Sequence, residues 1–93
     1  MITIWKYELE VTDLQMISVP EGAKPLSVQE QGRKLCLWMI VNPYAVIRDD
    51  QYRVRIIGTG NPVEIEPEEG SYVGTVQFGN HGLVRHVFVE TEQ

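Results

Sequence analysis

The chain contains near its middle the apolar run Leu35-Cys36-Leu37-Trp38-Met39-Ile40-Val41, which Asn42-Pro43 follows at once. A short apolar run of this kind suits a strand that is buried on both faces, and it is shorter than most helices. The proline also ends the element, because it disfavours helical backbone in the residue before it. We therefore predict the central strand of a sheet over these residues, with Trp38 in the core.

On both sides of this run the sequence alternates between apolar and polar residues. A period of two that is rich in β-branched and aromatic residues is typical of strands with one buried face. The alternation predicts further strands over residues 2–11, 15–19, 26–31, 52–57, 72–78 and 83–90. The first two strands look like one hairpin, and the last two look like a closing hairpin. Residues 44–51 are the only segment that could form a helical turn, and their state stays open.

Seven strands in 93 residues indicate an all-β fold, either a small antiparallel sandwich or a partly open barrel. The length leaves no room for a second hydrophobic core, so we expect one domain over residues 1–93. A chain this short buries only about 60 to 65% of the surface that its unfolded form exposes. Its stability is then marginal unless it packs well or associates with copies of itself, and we expect a homo-oligomer.

Composition excludes several classes of function. The net charge of −5 disfavours a protein that coats duplex DNA, since such binding depends on many Lys and Arg contacts to phosphate. No apolar run is long enough to span a membrane, and the alternating amino terminus does not resemble a signal peptide. We therefore expect a cytoplasmic protein. The only cysteine, Cys36, is expected to be a buried thiol and allows no intrachain disulfide.

The sequence offers weak support for metal binding or catalysis. His81 lies in the predicted closing turn and His86 lies on a strand, and zinc needs about four converging ligands. The glutamates of residues 64–69 lack the spacing of a calcium loop, so a solvated loop is favoured there. His86 shares a face with Val84 and Phe88, where a hydrogen-bonded histidine is favoured over a catalytic base. We expect no cofactor, no metal and no enzymatic activity, with acid–base catalysis by His86 as a minor alternative.

A glycine-rich turn gives the best candidate ligand site. Two glycines at residues 58–61 would let the backbone approach a ligand, although an ordinary turn explains the same pattern. No helix follows, so the turn is not a dinucleotide or phosphate-loop motif. If arginines from neighbouring strands met across the sheet, they could hold a carboxylate or phosphate. The candidate ligand-binding residues are Arg53, Arg55, Gly58, Thr59, Gly60, Asn61, Arg85 and His86.

Aromatic residues near the amino terminus give a second candidate surface. Trp5 and Tyr7 alternate with Lys6 and Glu8 on a predicted edge strand. Rigid aromatic side chains often anchor protein interfaces, but they also fill cores. Packing is the favoured interpretation, and binding of a partner through Trp5 and Tyr7 is the alternative.

Several longer segments carry a resemblance that covers nearly the whole chain. They are Ile4-Trp5-Lys6-Tyr7, Gly22-Ala23-Lys24-Pro25-Leu26-Ser27-Val28-Gln29, Cys36-Leu37-Trp38, Ile57-Gly58-Thr59-Gly60-Asn61-Pro62, Tyr72-Val73-Gly74-Thr75-Val76-Gln77 and Leu83-Val84-Arg85-His86-Val87-Phe88. In these segments the chain resembles a family of uncharacterised small proteins encoded by bacteriophages and prophages. The resemblance implies a shared fold and a phage origin, and it brings no established activity.

Small phage proteins of this kind often bind a host factor, so the first hypothesis is a non-catalytic binding protein in the host cytoplasm. It would inhibit a host function such as antiviral defence. It could occlude a host protein through an aromatic and acidic surface, or sequester a small anionic ligand such as a nucleotide. The negative net charge slightly favours occlusion. The alternative is a structural or virion-associated β-module without a small-molecule site.

Overall fold

The computed structural model describes residues 1–78 and 82–91, and these residues form two antiparallel sheets. The strands are β1 (Thr3–Leu9), β2 (Leu14–Pro20), β3 (Lys24–Gln31), β4 (Lys34–Val41), β5 (Ile47–Gly58), β6 (Tyr72–Phe78) and β7 (Leu83–Thr91). One sheet has the order β1-β4-β3 and the other β2-β5-β7-β6. Over the described residues the sheets do not close into a barrel, so the all-β prediction is confirmed in its sandwich form.

The apolar run forms β4, which lies in the middle of the three-stranded sheet, as predicted. Cys36 is buried, as expected. Trp38 is only half-buried, and its expected place in the core is wrong. It pairs with Lys6 of β1 and belongs to the side of β4 that faces away from the core. The core-facing residues of β4 are Leu35, Leu37, Met39 and Val41, each at most 1% exposed.

The predicted hairpin of the first two strands is wrong. β1 pairs with β4 in one sheet, whereas β2 pairs with β5 in the other. The chain crosses between the sheets at residues 10–13, where the Gln15 side chain bonds both backbone groups of Glu10 at 3.2 and 2.6 Å. A side chain here replaces the ladder bonds that a hairpin would supply. The two strands therefore belong to different sheets.

Residues 44–51, which the sequence left open, do not form a helix. A turn occupies residues 43–45, and β5 begins at Ile47, five residues before the predicted strand at Tyr52. Asp50 has a φ of 51°, and its backbone N–H donates to the Ser18 hydroxyl at 3.1 Å. Aspartate tolerates this left-handed backbone, which creates the irregularity between β2 and β5.

Two pairs of consecutive strands form hairpins in the described part of the chain. Gly32 and Arg33 join β3 to β4 with φ values of 58° and 67°, which fits a two-residue turn with both central residues left-handed. β6 and β7 pair as the predicted closing hairpin. The turn residues 79–81, with His81 among them, lie outside the described part of the chain.

The core lies between the inner faces of the two sheets. Tyr52, Val54 and Ile56 of β5 point inward and are at most 6% exposed, as the alternation predicts. The Tyr52 hydroxyl donates to the Ala23 carbonyl oxygen, and burial raises the pKa of Tyr52. At one side β3 and β6 approach closely, because a Cβ on Gly74 would lie 3.0 Å from Val28. Because the core uses the inner face of the four-stranded sheet, its outer face can make other contacts.

Candidate functional site

The outer face of the four-stranded sheet carries most of the polar side chains that the sequence singled out. Side chains alternate along each strand, so residues paired across β5 and β7 in register share this face. Arg53 lies opposite Glu90, Arg55 opposite Phe88, and Ile57 opposite His86. On β6, Tyr72 pairs with Phe88 and Thr75 with His86.

Residues 61–70, here called the strap, lie over this face. The backbone N–H of Glu68 donates to Glu90 Oε2 at 2.8 Å, and Arg55 Nη2 donates to the Ile65 carbonyl oxygen at 2.6 Å. Ser71 then returns the chain to the sheet, since its carbonyl accepts the Val89 N–H at 2.8 Å. Side chains of the sheet thus supply the partners that this loop backbone needs.

A cluster of charged residues fastens the strap. The Glu90 side chain is 2% exposed, with Arg53 Nε 3.2 Å and Arg55 Nη1 3.7 Å from its two oxygens. Arg53 Nη2 also lies 3.6 Å from Glu68 Oε1. A buried carboxylate is tolerated when cations and hydrogen-bond donors surround it. We call these four residues, Arg53, Arg55, Glu68 and Glu90, the Glu90 cluster.

The three candidate arginines do not share one site. Arg53 and Arg55 converge, but on Glu90 of the same chain. Arg85 pairs with Gly58 in register and lies on the opposite side of the sheet. Gly58 and Asn61, which lie next to the Arg85 guanidinium, line one cavity with Arg53 and Arg55, but Arg85 itself does not.

A chain of hydroxyl and imidazole groups runs beside the Glu90 cluster. His86 Nε2 lies 2.7 Å from Thr59 Oγ1, and His86 Nδ1 lies 3.0 Å from Thr75 Oγ1. The Thr75 hydroxyl in turn lies 2.6 Å from the Tyr72 hydroxyl. These contacts tie the glycine turn to β6 through one imidazole, and they use both of its ring nitrogens. We call them the His86 network.

An open pocket of about 470 Å³, here the outer pocket, lies between the strap and the His86 side of the sheet. Its walls are mostly apolar, and Tyr72 meets Phe88 edge-on at a ring distance of 5.6 Å. Glu64 and Glu66 are exposed, and no partner for either carboxylate is found among the described residues. The lining residues are Ile57, Val63, Glu64, Glu66, Pro67, His86 and Phe88.

A second cavity of about 760 Å³ lies along the strap and takes in the Glu90 cluster. Leu14 and Asp13 line it together with Arg53 and Arg55. Its arginines already contact Glu90 and the strap backbone. A ligand that used them would have to displace those contacts.

The glycine turn forms a narrow notch next to Arg85. A Cβ on Gly58 would lie 2.7 Å from the Asn61 amide nitrogen and 3.3 Å from Arg85 Nη1. Gly60 has a φ of 85°, a backbone conformation that favours glycine. Within the described ranges the Arg85 guanidinium has no hydrogen-bond or ion-pair partner, while its backbone pairs with Gly58 and Val76. Gly58, Asn61 and Arg85 thus lie together, while Thr59 and His86 belong to the outer face.

Trp5 and Tyr7, the candidate partner-binding residues, point toward the core. Both are half-buried and pack against the buried cluster, and burial raises the pKa of Tyr7. This placement supports the packing interpretation. Only their remaining exposed surface could contact a partner.

Sequence reasoning missed several residues of this face. Glu90 is one, although its alternation with His86 and Phe88 placed it on their side of β7. Tyr72 and Thr75 are others, and the correctly predicted hairpin of β6 and β7 could have paired Thr75 with His86. The strap's contribution to the pocket had no signal in the sequence, because contacts of an irregular loop leave no periodic pattern.

The described residues show neither a metal-binding cluster nor a membrane-spanning helix. Over residues 1–78 and 82–91, no group of three or more His, Cys, Asp or Glu side chains could hold a metal ion. The same residues include no helix long and apolar enough to cross a membrane.

Comparison with known protein families gives a match over the whole chain. The model of a domain of unknown function, DUF7352, matches residues 1–93. No curated protein and no solved structure matches the chain. Because the match spans the full length, the chain belongs to the family of this domain of unknown function, DUF7352.

Proposed function

We propose that this chain is a phage-encoded, non-catalytic binding protein that inhibits a host factor by occluding a host protein. The proposed place of action is the host cytoplasm, and the proposed class of host function is antiviral defence. The observation that carries the proposal is the outer pocket, where an apolar floor lies beside two exposed carboxylates without partners in the described chain. Such a mixture of apolar surface and polar rim is typical of interaction sites.

The charges of the outer face favour a protein over a small anion. Arg53 and Arg55 already contact Glu90, and Arg55 also holds the strap backbone. The carboxylates of Glu64 and Glu66 would repel an anion at the pocket rim. The net charge of −5 acts in the same direction at longer range.

A binding role also fits His86 better than acid–base catalysis does. Each ring nitrogen lies within 3.0 Å of a threonine hydroxyl. Hydrogen bonds on both sides fix the ring as part of the pocket wall. An imidazole held in this way acts as a rigid part of a binding surface.

The test is recovery of partners from phage-infected cells with a tagged protein. Wild type is compared with Glu64→Gln/Glu66→Gln, which removes the rim charges, and with the matched control Glu10→Gln/Glu30→Gln, which removes two exposed charges elsewhere. We expect one host protein to be recovered by wild type and control and to be lost with the pocket variant. Recovery of virion components alone would contradict the proposal and favour a structural β-module.

The notch next to Arg85 supports sequestration of a small anionic, nucleotide-like ligand as a second candidate function. There a guanidinium without a partner in the described chain lies beside Asn61 and a glycine turn. A second subunit could complete such a site, which connects this function to the expected homo-oligomer.

Light scattering followed by a thermal-shift screen against nucleotides and cyclic nucleotides tests this second candidate. It predicts an oligomer whose melting temperature rises with one ligand, and it predicts that Arg85→Gln abolishes the rise. A monomer without any ligand response would overturn it. That result leaves protein occlusion to be decided by the recovery experiment.

A further inference from the structure

We infer that the outer pocket accepts an arginine side chain of the occluded partner. This inference rests on the proposed function and specifies what the partner presents there. The step from pocket to arginine depends on three features: the apolar floor, the aromatic ring and the uncompensated rim charge.

The floor of the pocket fits an aliphatic stem. Ile57, Val63 and Pro67 line it, and none of these side chains offers a hydrogen bond. The pocket volume of about 470 Å³ leaves room for a long side chain and part of its backbone. Arginine buries its methylene groups along apolar surface of this kind while its charged end stays at the rim.

The rim fits a cationic head group. The exposed carboxylates of Glu64 and Glu66 border the same pocket and have no partner in the described chain. Arg53 and Arg55 already contact Glu90, and the Arg55 side chain is only 18% exposed. A guanidinium can donate to two carboxylates at once, which an ammonium group does less well.

Phe88 adds a reason to prefer arginine over lysine. Its ring lines the pocket and meets Tyr72 edge-on, with an interplanar angle of 61°. A planar, weakly hydrated guanidinium stacks on such a ring more readily than an ammonium does. His86 cannot compete for the head group, because hydroxyl groups already contact both of its nitrogens.

The test is an NMR titration of ¹⁵N-labelled protein with N-acetyl-arginine methylamide. N-acetyl-citrulline methylamide serves as the uncharged probe of the same shape. We expect saturable shifts at Ile57, Phe88 and residues 63–67 with the arginine probe and at least fivefold weaker binding of citrulline. Glu64→Gln/Glu66→Gln should weaken binding of the arginine probe by roughly three- to tenfold, as expected for the loss of two partly exposed ion pairs. The control Glu10→Gln/Glu30→Gln should bind the probe like wild type.

Equal binding of the two probes, shifts elsewhere on the protein, or no shift at millimolar probe would each overturn the inference. Phe88→Leu tests the contribution of the ring apart from that of the carboxylates, because it keeps an apolar floor but removes the aromatic face. A folded Phe88→Leu protein that bound arginine as wild type does would remove the argument for arginine over lysine. Any of these results leaves the proposed function standing if the recovery experiment still loses its host protein with Glu64→Gln/Glu66→Gln.

Discussion

The Glu90 cluster and the outer pocket lie on the same outer face and adjoin the same strap, but they differ in how their charged side chains are paired. In the cluster a carboxylate that is 2% exposed is surrounded by two arginines and a backbone N–H. In the pocket two exposed glutamates have no partner among the described residues. The paired charges hold the loop in place, and the charges without partners are available to another molecule. Charged residues in a loop therefore indicate function only after their partners are known.

The largest effect is expected from breaking the cluster with Glu90→Gln. The amide keeps the size of the side chain and can still accept the Glu68 N–H, but it leaves Arg53 and Arg55 without their buried counter-charge. We expect the free energy of unfolding to fall by about 2 kcal/mol, less than the ~3–5 kcal/mol of fully buried pairs because the arginines are partly exposed. Urea denaturation at fixed protein concentration measures it.

Glu69→Gln is the matched control for this variant. Glu69 is an exposed glutamate of the same strap, and the described contacts give it no partner. Its substitution should change the free energy of unfolding by less than about 0.5 kcal/mol. If Glu90→Gln were as mild as Glu69→Gln, the strap would not depend on the cluster.

A smaller effect is expected from the His86 network. Thr59→Val keeps the shape of the side chain but removes the hydroxyl that lies 2.7 Å from His86 Nε2. Loss of one partly exposed hydrogen bond should lower the free energy of unfolding by about 1 kcal/mol. Thr12→Val is the control, since the Thr12 hydroxyl makes only longer contacts, at 3.3 and 3.5 Å. Equal effects of the two substitutions would show that the network does not stabilise the turn.

Alkaline pH is expected to weaken the core that supports both regions. Burial raises the pKa values of Tyr7 and Tyr52 above the ordinary 10.0, so the unfolded chain loses these protons first as the pH rises. Their contribution to stability is then complete below about pH 10 and is lost as the pH rises through the folded-state values. Urea midpoints measured across this range should fall.

The urea midpoint of the Tyr52→Phe variant should fall less steeply over the same pH range. Its stability at neutral pH will be lower, because Phe cannot donate to the Ala23 carbonyl oxygen. A midpoint with the same pH slope in wild type and Tyr52→Phe would exclude Tyr52 as a source of the alkaline loss.

The smallest effect on stability is expected at the pocket rim. Glu64 and Glu66 are exposed and make no ion pair in the described chain, so Glu64→Gln/Glu66→Gln should leave the free energy of unfolding within about 0.5 kcal/mol. Thermal and urea unfolding both measure this. A larger loss would place these carboxylates with the structural charges and would erase the contrast between the two regions.

Much of the fold could be predicted from the sequence, because alternation reports burial directly. It located the seven strands and the inward face of β5, and the apolar run identified the middle strand of one sheet. Alternation could not predict that β1 pairs with β4, since pairing between distant strands depends on the whole core. The hairpin expectation for β1 and β2 failed for that reason.

The candidate site was predicted less completely. The sequence singled out Arg53, Arg55 and His86 but not Glu90, which lies 37 residues from Arg53 and pairs with it only through the sheet register. Alternation separates residues on the two faces of a strand, yet it does not show which charges meet. Whether Arg85 would meet Arg53 and Arg55 was left open by the sequence, and it does not share their face because it lies one step out of phase with His86.

The most direct test of this account is whether Arg53 and Arg55 can respond to an anion. The ¹⁵N-detected Nε–Hε signals of the arginine side chains are followed while ATP is added to the labelled protein, with Arg85 as the internal comparison. The account predicts that the Arg53 and Arg55 signals stay in place at millimolar ATP, since both groups hold Glu90. Saturable shifts of both signals would contradict it and would identify the Glu90 cluster as an anion site.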